Sequence, residues 1–512
     1  MQHQLTALDQ MDGRAYFALL MEQGTGKTLV FLENSLREYS RGAIDGVLVV
    51  APNGVQINWV LEEIPRHVPE TVALKAAYWT ASTRKAERAA LEELFEPRRN
   101  GDVPTFRVLA MNIEAVSTDR GYKFAERFLL SGRIALIVDE SHRIKNTRAS
   151  CTKRLTKLGR LAKQRFIGTG TPITNTPVDA FSQFQFLKDG LLGTSSETTF
   201  RADYCELLPP GHGLMRHIQK RLEAKYGKDQ AAHFQPQVIA RDEFGRPKYR
   251  NLERLQQLIV PHSYRVLKSE CLDIPDKVYQ TRFFELSAEQ RRMYDALDKE
   301  LRLEFGDGWI EPIKALNAGV RLQQITSGYV STPMLGLKRI IKDNPRIQLL
   351  LDTLEDVEGQ VIIWARFIQE LKDISATLKG TSHALLYGET KPRERAEIVR
   401  DFQEGKLRII VGQPQVGGTG ITLHAATTVI YFSNDFNLST RLQSEDRAHR
   451  IGQKRSVNYI DLIAVGTVDQ RIVSALQRKE DVAAAIVGDF QKHRRERKSV
   501  LAADSGERQK AK

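Results

Sequence analysis

Two long stretches of the chain alternate short apolar, β-rich runs with amphipathic helical patterns. In the first stretch the apolar runs are residues 16–20, 46–51, 106–111, 134–138 and 164–167. In the second they are residues 361–365, 384–387, 407–411, 428–432 and 457–463. Runs bounded by Gly, Pro or Asp are typical of parallel strands that are buried on both faces and joined by crossover helices. The pattern therefore predicts an α/β chain with two parallel-sheet lobes in tandem.

The region between these stretches has a different pattern. Residues 180–345 are largely helical by pattern, with charged amphipathic stretches near 250–268 and 287–305, and a Gly/Pro-rich part, 209–247, predicted to be irregular or an inserted loop. A chain of 512 residues is also too long for one core, since domains stop growing near roughly 250–300 residues. We predict lobe 1 at 1–190, a helical insertion and linker at 191–345, lobe 2 at 346–485 and a flexible basic tail at 486–512.

The net charge points to a polyanionic partner. The formal charge is +13, and residues 491–512 contribute +5 of it through eight Lys or Arg and three acidic residues. A basic excess favours nucleic acid because neutralised phosphates release condensed counterions. The alternative is a surface that only keeps the protein soluble.

Several protein classes are disfavoured by composition. No apolar run approaches the ~20 residues that span a bilayer, so we predict no membrane segment. The N-terminus lacks the pattern of a signal peptide. The three cysteines, Cys151, Cys205 and Cys271, are scattered. Their number and spacing favour a reducing compartment and argue against a disulfide framework or a structural zinc site.

A glycine-rich segment at 21–28 has the sequence Met-Glu-Gln-Gly-Thr-Gly-Lys-Thr, between a predicted strand and a predicted helix. This is the context of a phosphate-binding loop, in which Gly24, Thr25 and Gly26 turn backbone N–H groups toward phosphates. Lys27 would then reach the β- and γ-phosphates, and the Thr28 hydroxyl would bind Mg²⁺. Met replaces the usual first glycine of such loops, and a Gly-rich turn without catalytic function is the alternative.

An acidic motif follows the run 134–138 directly, with the sequence Asp139-Glu140-Ser141-His142. An aspartate at the carboxyl end of a parallel strand faces the crevice where ligands bind in open α/β sheets. We predict that Asp139 binds Mg²⁺ and that Glu140 polarises the attacking water. A buried acidic pair without a cation would be costly, so a purely structural interpretation is poor.

The motifs resemble those of a known family. Residues 139–146 and 168–175 resemble motifs II and III of superfamily-two ATPases, and the trailing Lys-Asn of the first is similar to the sucrose-nonfermenting (Snf) family of chromatin-remodelling and DNA-repair translocases. Further similar segments, from motif Ia to motif VI, are 49–52 with Trp59, 264–268, 362–367, 417–423 and 443–453. Together these matches extend from residue 1 to about 485.

The resemblance implies two RecA-like lobes with ATP and Mg²⁺ between them. Arg447 and Arg450 would stabilise the transferring phosphoryl group as arginine fingers, and they would share one face if their segment is helical. A solvated charged helix is the alternative for these two arginines. The resemblance also assigns adenine recognition to Gln4 and nucleotide binding to Gly418, Gly420 and Gln443.

The resemblance further implies an ATP-driven enzyme that translocates on double-stranded or branched DNA and remodels DNA structures or protein–DNA complexes. One alternative is a strand-separating helicase acting on DNA or RNA, and another is a motor or binding subunit of a larger DNA-processing or defence complex. Lys145, Arg366 and Arg393 are candidates for DNA contacts. We expect a cytoplasmic monomer from a bacterial cell or a phage-infected host, with no membrane association.

Overall fold

The computed structural model describes residues 1–80, 85–95, 104–231, 234, 236–243, 246–305, 312–332, 336–415 and 421–487. The chain divides into two compact units. Unit 1 contains the described parts of Met1–Glu206 and Arg241–Cys271 together with residues 478–487, and unit 2 contains the described parts of Leu207–Ala240 and Leu272–Gln477. Most of the predicted basic tail and the predicted motif V glycines, including Gly418 and Gly420, lie outside the described residues.

The strands are numbered in chain order. They are β1 (Tyr16–Met21), β2 (Gly46–Ala51), β3 (Leu74–Tyr78), β4 (Phe106–Asn112), β5 (Ile134–Asp139), β6 (Gln164–Gly168), β7 (Ser263–Val266), β8 (Lys277–Phe284), β9 (Tyr329–Thr332), β10 (Gly336–Arg339), β11 (Gln360–Trp364), β12 (His383–Leu386), β13 (Ile409–Gly412), β14 (Ala426–Tyr431) and β15 (Val457–Ala464).

The helices between residues 1 and 271 are given first. They are α1 (Gln2–Met11), α2 (Lys27–Ser40), α3 (Val55–Asn58), α4 (Ile64–His67), α5 (Lys85–Glu93), α6 (Ile113–Val116), α7 (Asp119–Leu130), α8 (Ser150–Gly159), α9 (Val178–Leu187), α10 (Glu197–Tyr204), α11 (Gly213–Tyr226), α12 (Lys228–Ala231), α13 (Leu252–Ile259) and α14 (Lys268–Cys271).

The remaining helices are α15 (Ala288–Phe305), α16 (Pro312–Thr326), α17 (Pro345–Glu355), α18 (Ile368–Thr377), α19 (Pro392–Gln403), α20 (Leu438–Glu445) and α21 (Val468–Val487). A π-helical turn, Trp59–Glu63, joins α3 to α4. No helix of the described chain is both long and apolar enough to cross a membrane.

Each unit is built on one parallel sheet. The sheet of unit 1 has the strand order β3-β4-β2-β5-β6-β1-β7, and its apolar side chains form a core on each face. The sheet of unit 2 has the order β12-β13-β11-β14-β15-β8, again between two cores. Parallel strands carry their carboxyl ends to one edge, so the segments that follow β1 and β5 meet at the same edge of the first sheet.

Each of the ten apolar runs of the sequence overlaps a strand of these two sheets, which confirms the predicted fold class of two parallel-sheet lobes. Strands β3, β7 and β8 were not predicted. They are edge strands with half-buried, partly polar residues, as in β8 with its alternation of more and less exposed positions. Edge strands lack the continuous apolar sequence of buried ones, so they carry a weaker signal.

The middle of the chain differs from the predicted helical insertion in two respects. It supplies a strand to each sheet, since β7 joins β1 in unit 1 and β8 joins β15 in unit 2. The part 209–247, predicted to be irregular, contains the 14-residue helix α11. Its Gly and Pro residues lie mostly outside this helix, while the stretch from Leu214 to Tyr226 has none. The amphipathic stretch 287–305 is the helix α15, as predicted.

Candidate active site

The predicted phosphate-binding loop, residues 21–28, connects β1 to α2 within unit 1. Gly24 and Gly26 have φ angles of 86° and 91°, a left-handed conformation that side chains with a Cβ rarely adopt. Gly26 is the N-cap of α2, and a Cβ at this position would collide with the side chain of Gln4. The loop therefore needs glycine at both positions, and its backbone leads into the first turn of a 14-residue helix.

Lys27, the first residue of α2, is almost fully buried. Its Nζ donates hydrogen bonds to the carbonyl oxygens of Met21, at 2.9 Å, and Glu22, at 3.3 Å. An ammonium group has three donors, so these two bonds hold the amine at the loop while a further N–H can reach a phosphate oxygen. The hydroxyl of Thr25 donates to the Glu22 carbonyl at 2.7 Å and tightens the same turn.

The N-terminal helix α1 is attached to this loop by two side chains. Gln4 Nε2 donates to the carbonyl of Thr25 at 3.3 Å, and His3 Nε2 lies 2.9 Å from the same oxygen. The predicted adenine-binding residue Gln4 is thus next to the phosphate loop, and its role in adenine recognition stays a prediction. His3 was not singled out from the sequence, and only its position beside Gln4 could have indicated it.

The acidic pair lies at the carboxyl end of β5. Asp139 is the last residue of the strand, and its carboxylate accepts two hydrogen bonds, from Trp59 Nε1 to Oδ2 at 3.2 Å and from the Glu140 N–H to Oδ1 at 3.0 Å. Glu140 has a φ of 53°, a conformation that costs free energy in a residue other than glycine. Such strain persists only where the surrounding structure holds it.

Glu140 is held by the next turn and by the loop after β6. Its Oε2 lies 3.2 Å from His142 Nδ1 and accepts a hydrogen bond from Thr169 Oγ1 at 3.5 Å. His142 Nδ1 also lies 3.2 Å from Thr169 Oγ1. These contacts join the two segments that resemble motifs II and III. His142 and Thr169 stand within those motifs, but the sequence alone did not assign them a role.

Electrostatics connects the acidic pair to the phosphate loop. Burial and the charge of Glu140 raise the pKa of Asp139, and the charge of Lys27 acts in the opposite direction. Burial also opposes ionisation of Glu140, but the hydrogen bond and charge of His142, together with Lys27 and Arg143, outweigh it and lower its pKa. Lys27 thus acts on both carboxylates, as expected for one phosphate-binding site.

The oxygen groups at this site fit Mg²⁺. A hard divalent cation prefers carboxylate and hydroxyl oxygens, and it would relieve the repulsion that raises the pKa of Asp139. Asp139 presents a carboxylate whose plane is fixed by two donors. Thr28, in the first turn of α2, is half-buried and supplies the hydroxyl predicted from the sequence. Asp139 and Thr28 remain the proposed ligands.

Residues 263–268, which come more than 240 residues after β1 in the chain, also contact β1 and the phosphate loop. Strand β7 pairs with β1, and Arg265 donates to the carbonyls of Leu20, at 2.8 Å, and Gly170, at 3.1 Å. The N–H of Lys268 donates to the Glu22 carboxylate at 2.7 Å. These residues belong to the segment 264–268 noted in the sequence, which contacts the phosphate loop.

The two predicted arginine fingers lie in unit 2. Helix α20 ends at Glu445, so Arg447 and Arg450 follow it in a turn, and the expectation that they share a helix face does not hold. Arg447 is buried, with its guanidinium 5.8 Å from the ring centre of Trp364. Arg450 Nη1 donates to the hydroxyl of Thr422 at 3.1 Å.

Arg447 is acted on by two other arginines and by Asp446, whose charge acts in the opposite direction to theirs. Burial lowers its pKa to about 10, and the charges of Arg395 and Arg450 act in the same direction. Positive groups held together at low dielectric favour a bound anion, because an anion offsets both their repulsion and their desolvation. Arg395, on α19, was missed by the sequence analysis because no motif was recognised around it.

A buried ion-pair network anchors the turn that carries these arginines. Arg441, on α20, makes a bidentate contact to Asp461, at 2.6 and 3.1 Å, and also donates to Glu445 at 2.8 Å. Lys277 Nζ contacts Glu445 from β8 at 3.1 Å. Breaking such a network by removing one member leaves an uncompensated buried charge, so it fixes the end of α20.

The structure describes some of the other predicted residues but not all of them. Gln443 is half-buried on α20, whereas Gly418 and Gly420 lie outside the described residues. Among the DNA-contact candidates, Lys145 contacts Thr174 and Asp179, Arg366 donates to Gln323, and the exposed Arg393 pairs with Glu397 at 3.3 Å. Lys145 and Arg366 therefore already have protein partners.

Two domain families match this chain. The SNF2-related domain matches residues 9–341, and the helicase conserved C-terminal domain matches residues 345–452. The boundary between the two matches falls just before α17.

Several curated and solved proteins are similar to the chain. It is 25% identical to the TATA-binding protein-associated factor BTAF1 of Arabidopsis thaliana, over 91% of this chain and 24% of that protein. It is 26% identical to the putative ATP-dependent helicase/translocase YwqA of Bacillus subtilis (strain 168), over 91% of this chain and 46% of that protein. The Sulfolobus solfataricus SWI2/SNF2 ATPase core in complex with dsDNA matches at 23% identity and a TM-score of 0.37, over 96% and 95% of the two chains. This chain thus spans less than half the length of these two curated relatives.

Proposed function

Because the chain belongs to the SNF2-related family, we propose that it is a superfamily-two ATPase that uses ATP to move along duplex DNA and remodel DNA structures or protein–DNA complexes. The observation that carries the proposal is the assembly of a phosphate-loop lysine and two carboxylates at one edge of the first sheet. The charge of Lys27 acts on both Asp139 and Glu140. Such a combination is typical of nucleoside triphosphate hydrolysis.

The side chains suggest a division of labour in hydrolysis. Lys27 and the loop N–H groups would bind the β- and γ-phosphates, and Thr28 and Asp139 would hold Mg²⁺, which would supply positive charge beside the phosphate oxygens. Glu140, kept ionised by His142, orients a water molecule toward the γ-phosphorus. The water oxygen bonds to phosphorus as the bond to the bridging oxygen of ADP breaks. One proton of the water stays on the released phosphate, and Glu140 accepts the other and passes it to solvent.

Arg447 and Arg450 would stabilise the charge that develops during this transfer. The crowding of cations around Arg447 supports an anionic ligand at this turn. An arginine finger typically contributes ~10³–10⁵ to the rate, so the two units would cooperate in one catalytic cycle. A cycle that alternates between closed and open forms can drive stepping along a polymer that both units bind.

Duplex DNA is the proposed track for two reasons. The chain has a formal net charge of +13, and the printed names of its relatives include a helicase/translocase and TATA-binding protein-associated factors. A strand-separating helicase is a second candidate, because the Mycoplasma pneumoniae relative is named as an ATP-dependent helicase. Strand separation predicts unwinding of a tailed duplex and stronger stimulation by single strands than by duplex.

The proposal is tested by ATP turnover with and without duplex, single-stranded and forked DNA and RNA. We expect duplex DNA to stimulate turnover in the wild type and in Lys153→Ala, a matched lysine control on an exposed part of α8. We expect Lys27→Ala and Glu140→Gln to abolish the stimulated turnover. Equal turnover by all proteins under all conditions would overturn the proposal.

A further inference from the structure

One residue of the phosphate loop carries a charge of the wrong sign for binding phosphates. Glu22 is half-buried and lies between Met21, the last residue of β1, and the glycines of the loop. A carboxylate repels a triphosphate, so its charge alone would weaken nucleotide binding. If this carboxylate favours nucleotide binding, it does so through the contacts that it makes within the protein.

The backbone and the side chain of Glu22 both bind segment 264–268. The N–H of Glu22 donates to the carbonyl oxygen of Val266 at 3.0 Å, which continues the pairing of β1 with β7 by one residue. The N–H of Lys268 donates to the Glu22 carboxylate at 2.7 Å, and hydrogen bonds to an ionised acceptor are stronger than those between neutral groups. Burial, followed by the charge of Glu22, raises the pKa of the nearby Cys271 thiol. Glu22 is therefore attached to this segment at two points.

The carbonyl group of Glu22 holds the part of the loop that would bind phosphate. Its oxygen accepts hydrogen bonds from the Thr25 N–H at 3.3 Å, the Thr25 hydroxyl at 2.7 Å and Lys27 Nζ at 3.3 Å. Glu22 thus connects segment 264–268 to the residues that surround the predicted phosphate position. The placement of Thr25 and Lys27 therefore depends on how firmly Glu22 is held.

The segment that follows β6 contacts the same part of the loop. A Cβ added at Gly170 would lie 3.0 Å from the backbone nitrogen of Gln23 and 3.2 Å from Glu22 Cα, closer than side chains normally approach a backbone. Arg265 donates to the Gly170 carbonyl at 3.1 Å. The loop is therefore in contact with both segments, and Arg265 joins the two segments to each other.

We propose that Glu22 is a positioning residue for ATP binding, because it fastens the phosphate loop to segment 264–268 and keeps the loop in its phosphate-binding conformation before the nucleotide arrives. This inference rests on the proposed function. A loop that samples other conformations binds its ligand less tightly, in proportion to the fraction of molecules in the competent conformation. The gain from a pre-formed loop outweighs the repulsion between Glu22 and the phosphates.

The test compares substitutions of Glu22 in the full chain. Glu22→Ala removes both the charge and the acceptor for the Lys268 N–H. We expect the Kd of a fluorescent ATP analogue and the KM for ATP to rise about tenfold or more, as is typical for the loss of one hydrogen bond to a charged group. The kcat at saturating ATP and duplex DNA should stay within about threefold of the wild type, because bound nucleotide restores the loop.

Two further variants separate the hydrogen bond from the charge. Glu22→Gln keeps an oxygen that can accept the Lys268 N–H but removes the charge, so it should bind the analogue at least as tightly as the wild type. Glu22→Asp keeps the charge but withdraws the carboxylate by one methylene group, so it should lose affinity as Glu22→Ala does. Glu22→Asp also gives the comparison if Glu22→Ala melts at a much lower temperature than the wild type.

Glu33→Ala is the matched control. It removes a glutamate carboxylate from α2, the helix that follows the loop, where Glu33 pairs with Arg37 at 3.4 Å. We expect this variant to have the Kd, KM and kcat of the wild type.

Three results would overturn the inference and leave the proposed function intact. They are wild-type affinity in Glu22→Ala and Glu22→Asp, an equal loss of affinity in Glu22→Gln and Glu22→Ala, and a loss in Glu33→Ala as large as that in Glu22→Ala. A wild type that neither binds the ATP analogue nor hydrolyses ATP with duplex DNA would overturn the proposed function, and this inference with it.

Discussion

The indole N–H of Trp59 donates a hydrogen bond to Oδ2 of Asp139 across 3.2 Å, from a side chain that is only 1% exposed. The N–H of Glu140 donates to the other carboxylate oxygen at 3.0 Å. The plane of the carboxylate is thus fixed from two sides. Trp59 begins the π-helical turn between α3 and α4, a type of helix irregularity that is frequent at functional sites.

Replacement of Trp59 by Phe should weaken the use of Mg²⁺. The substitution keeps an aromatic ring in the core but removes the N–H that orients Asp139. Loss of a partner that orients a metal ligand typically costs ~10–100-fold in metal affinity. We expect the Mg²⁺ concentration for half-maximal ATP turnover to rise by about tenfold, measured in a Mg²⁺ titration at saturating ATP.

Trp79→Phe is the matched control for Trp59→Phe. Trp79 is also buried in unit 1, where its ring packs 4.8 Å from that of Phe124, away from the acidic pair. Its variant should show the wild-type Mg²⁺ dependence at a similar melting temperature. If Trp59→Phe kept the wild-type Mg²⁺ dependence, Trp59 would have only a packing role.

Glu140→Gln should separate ATP binding from hydrolysis. The amide cannot polarise water as a carboxylate does, whereas Lys27 and the loop are unchanged. General base catalysis contributes ~10²–10⁴, so we expect turnover to fall at least ~100-fold with little change in the affinity for a fluorescent ATP analogue. Glu114→Gln, at an exposed acid of the same unit that pairs with Arg143, should be active. A Glu140→Gln protein with near wild-type turnover would exclude the assigned role.

Arg447→Lys should lose activity although it preserves the charge. The ammonium group of lysine cannot present the planar fork with which a guanidinium contacts phosphate oxygens. We expect DNA-stimulated turnover to fall ~10³-fold or more, measured at saturating nucleotide and DNA. Arg400→Lys, at an exposed position of the same unit, should retain activity. Substantial activity in Arg447→Lys would indicate that Arg450 or Arg395 performs this role.

Arg346→Met should destabilise unit 2 far more than a comparable change at the surface. Arg346 is fully buried, pairs with Asp469, and donates to the Phe432 carbonyl at 2.8 Å. Removing one partner of a buried pair costs ~3–5 kcal/mol, because it leaves the other charge uncompensated. Arg339→Met removes a half-exposed partner of Asp373, worth about 1 kcal/mol or less.

The stabilities of Arg346→Met, Arg339→Met and the wild type are compared by urea denaturation, monitored by tryptophan fluorescence. We expect a clear decrease of the unfolding midpoint for Arg346→Met and a small one for Arg339→Met. Similar midpoints for the two variants would show that the buried pair contributes no more than the exposed one. The result concerns stability only, since neither arginine is assigned to the nucleotide site.

Local sequence was sufficient where a feature depends on neighbouring residues. The central strands β2 and β5 are fully buried, and β5 is apolar up to Asp139, its last residue, which Glu140 follows. Lys27 follows the glycine-rich loop after the apolar strand β1. Edge strand β7 has four residues and a mixed sequence, so its pairing with β1 had no local signal. The same holds for Lys268, which contacts Glu22 from 246 residues away.

The turn after α20 illustrates a second limit of sequence patterns. The charged segment that contains Arg447 and Arg450 is compatible with helix continuation, but the helix ends at Glu445. The contacts that stabilise this end come from β8 and β15, through Lys277 and through the Tyr459 hydroxyl, which donates to the Glu445 carbonyl at 2.9 Å. Tertiary contacts of this kind override helical propensity and are invisible in a local window.

The pairing of β1 with β7 has a consequence for the biosynthesis of the protein. Strand β1, which leads into the phosphate loop, is translated among the first residues, whereas its partner β7 is complete only when residue 266 has been added to the chain. Until then β1 is an open sheet edge, and open edges of nascent chains are prone to pair with other molecules. An expressed fragment that stops at residue 190 would retain this open edge permanently, whereas one that extends to residue 271 would close it.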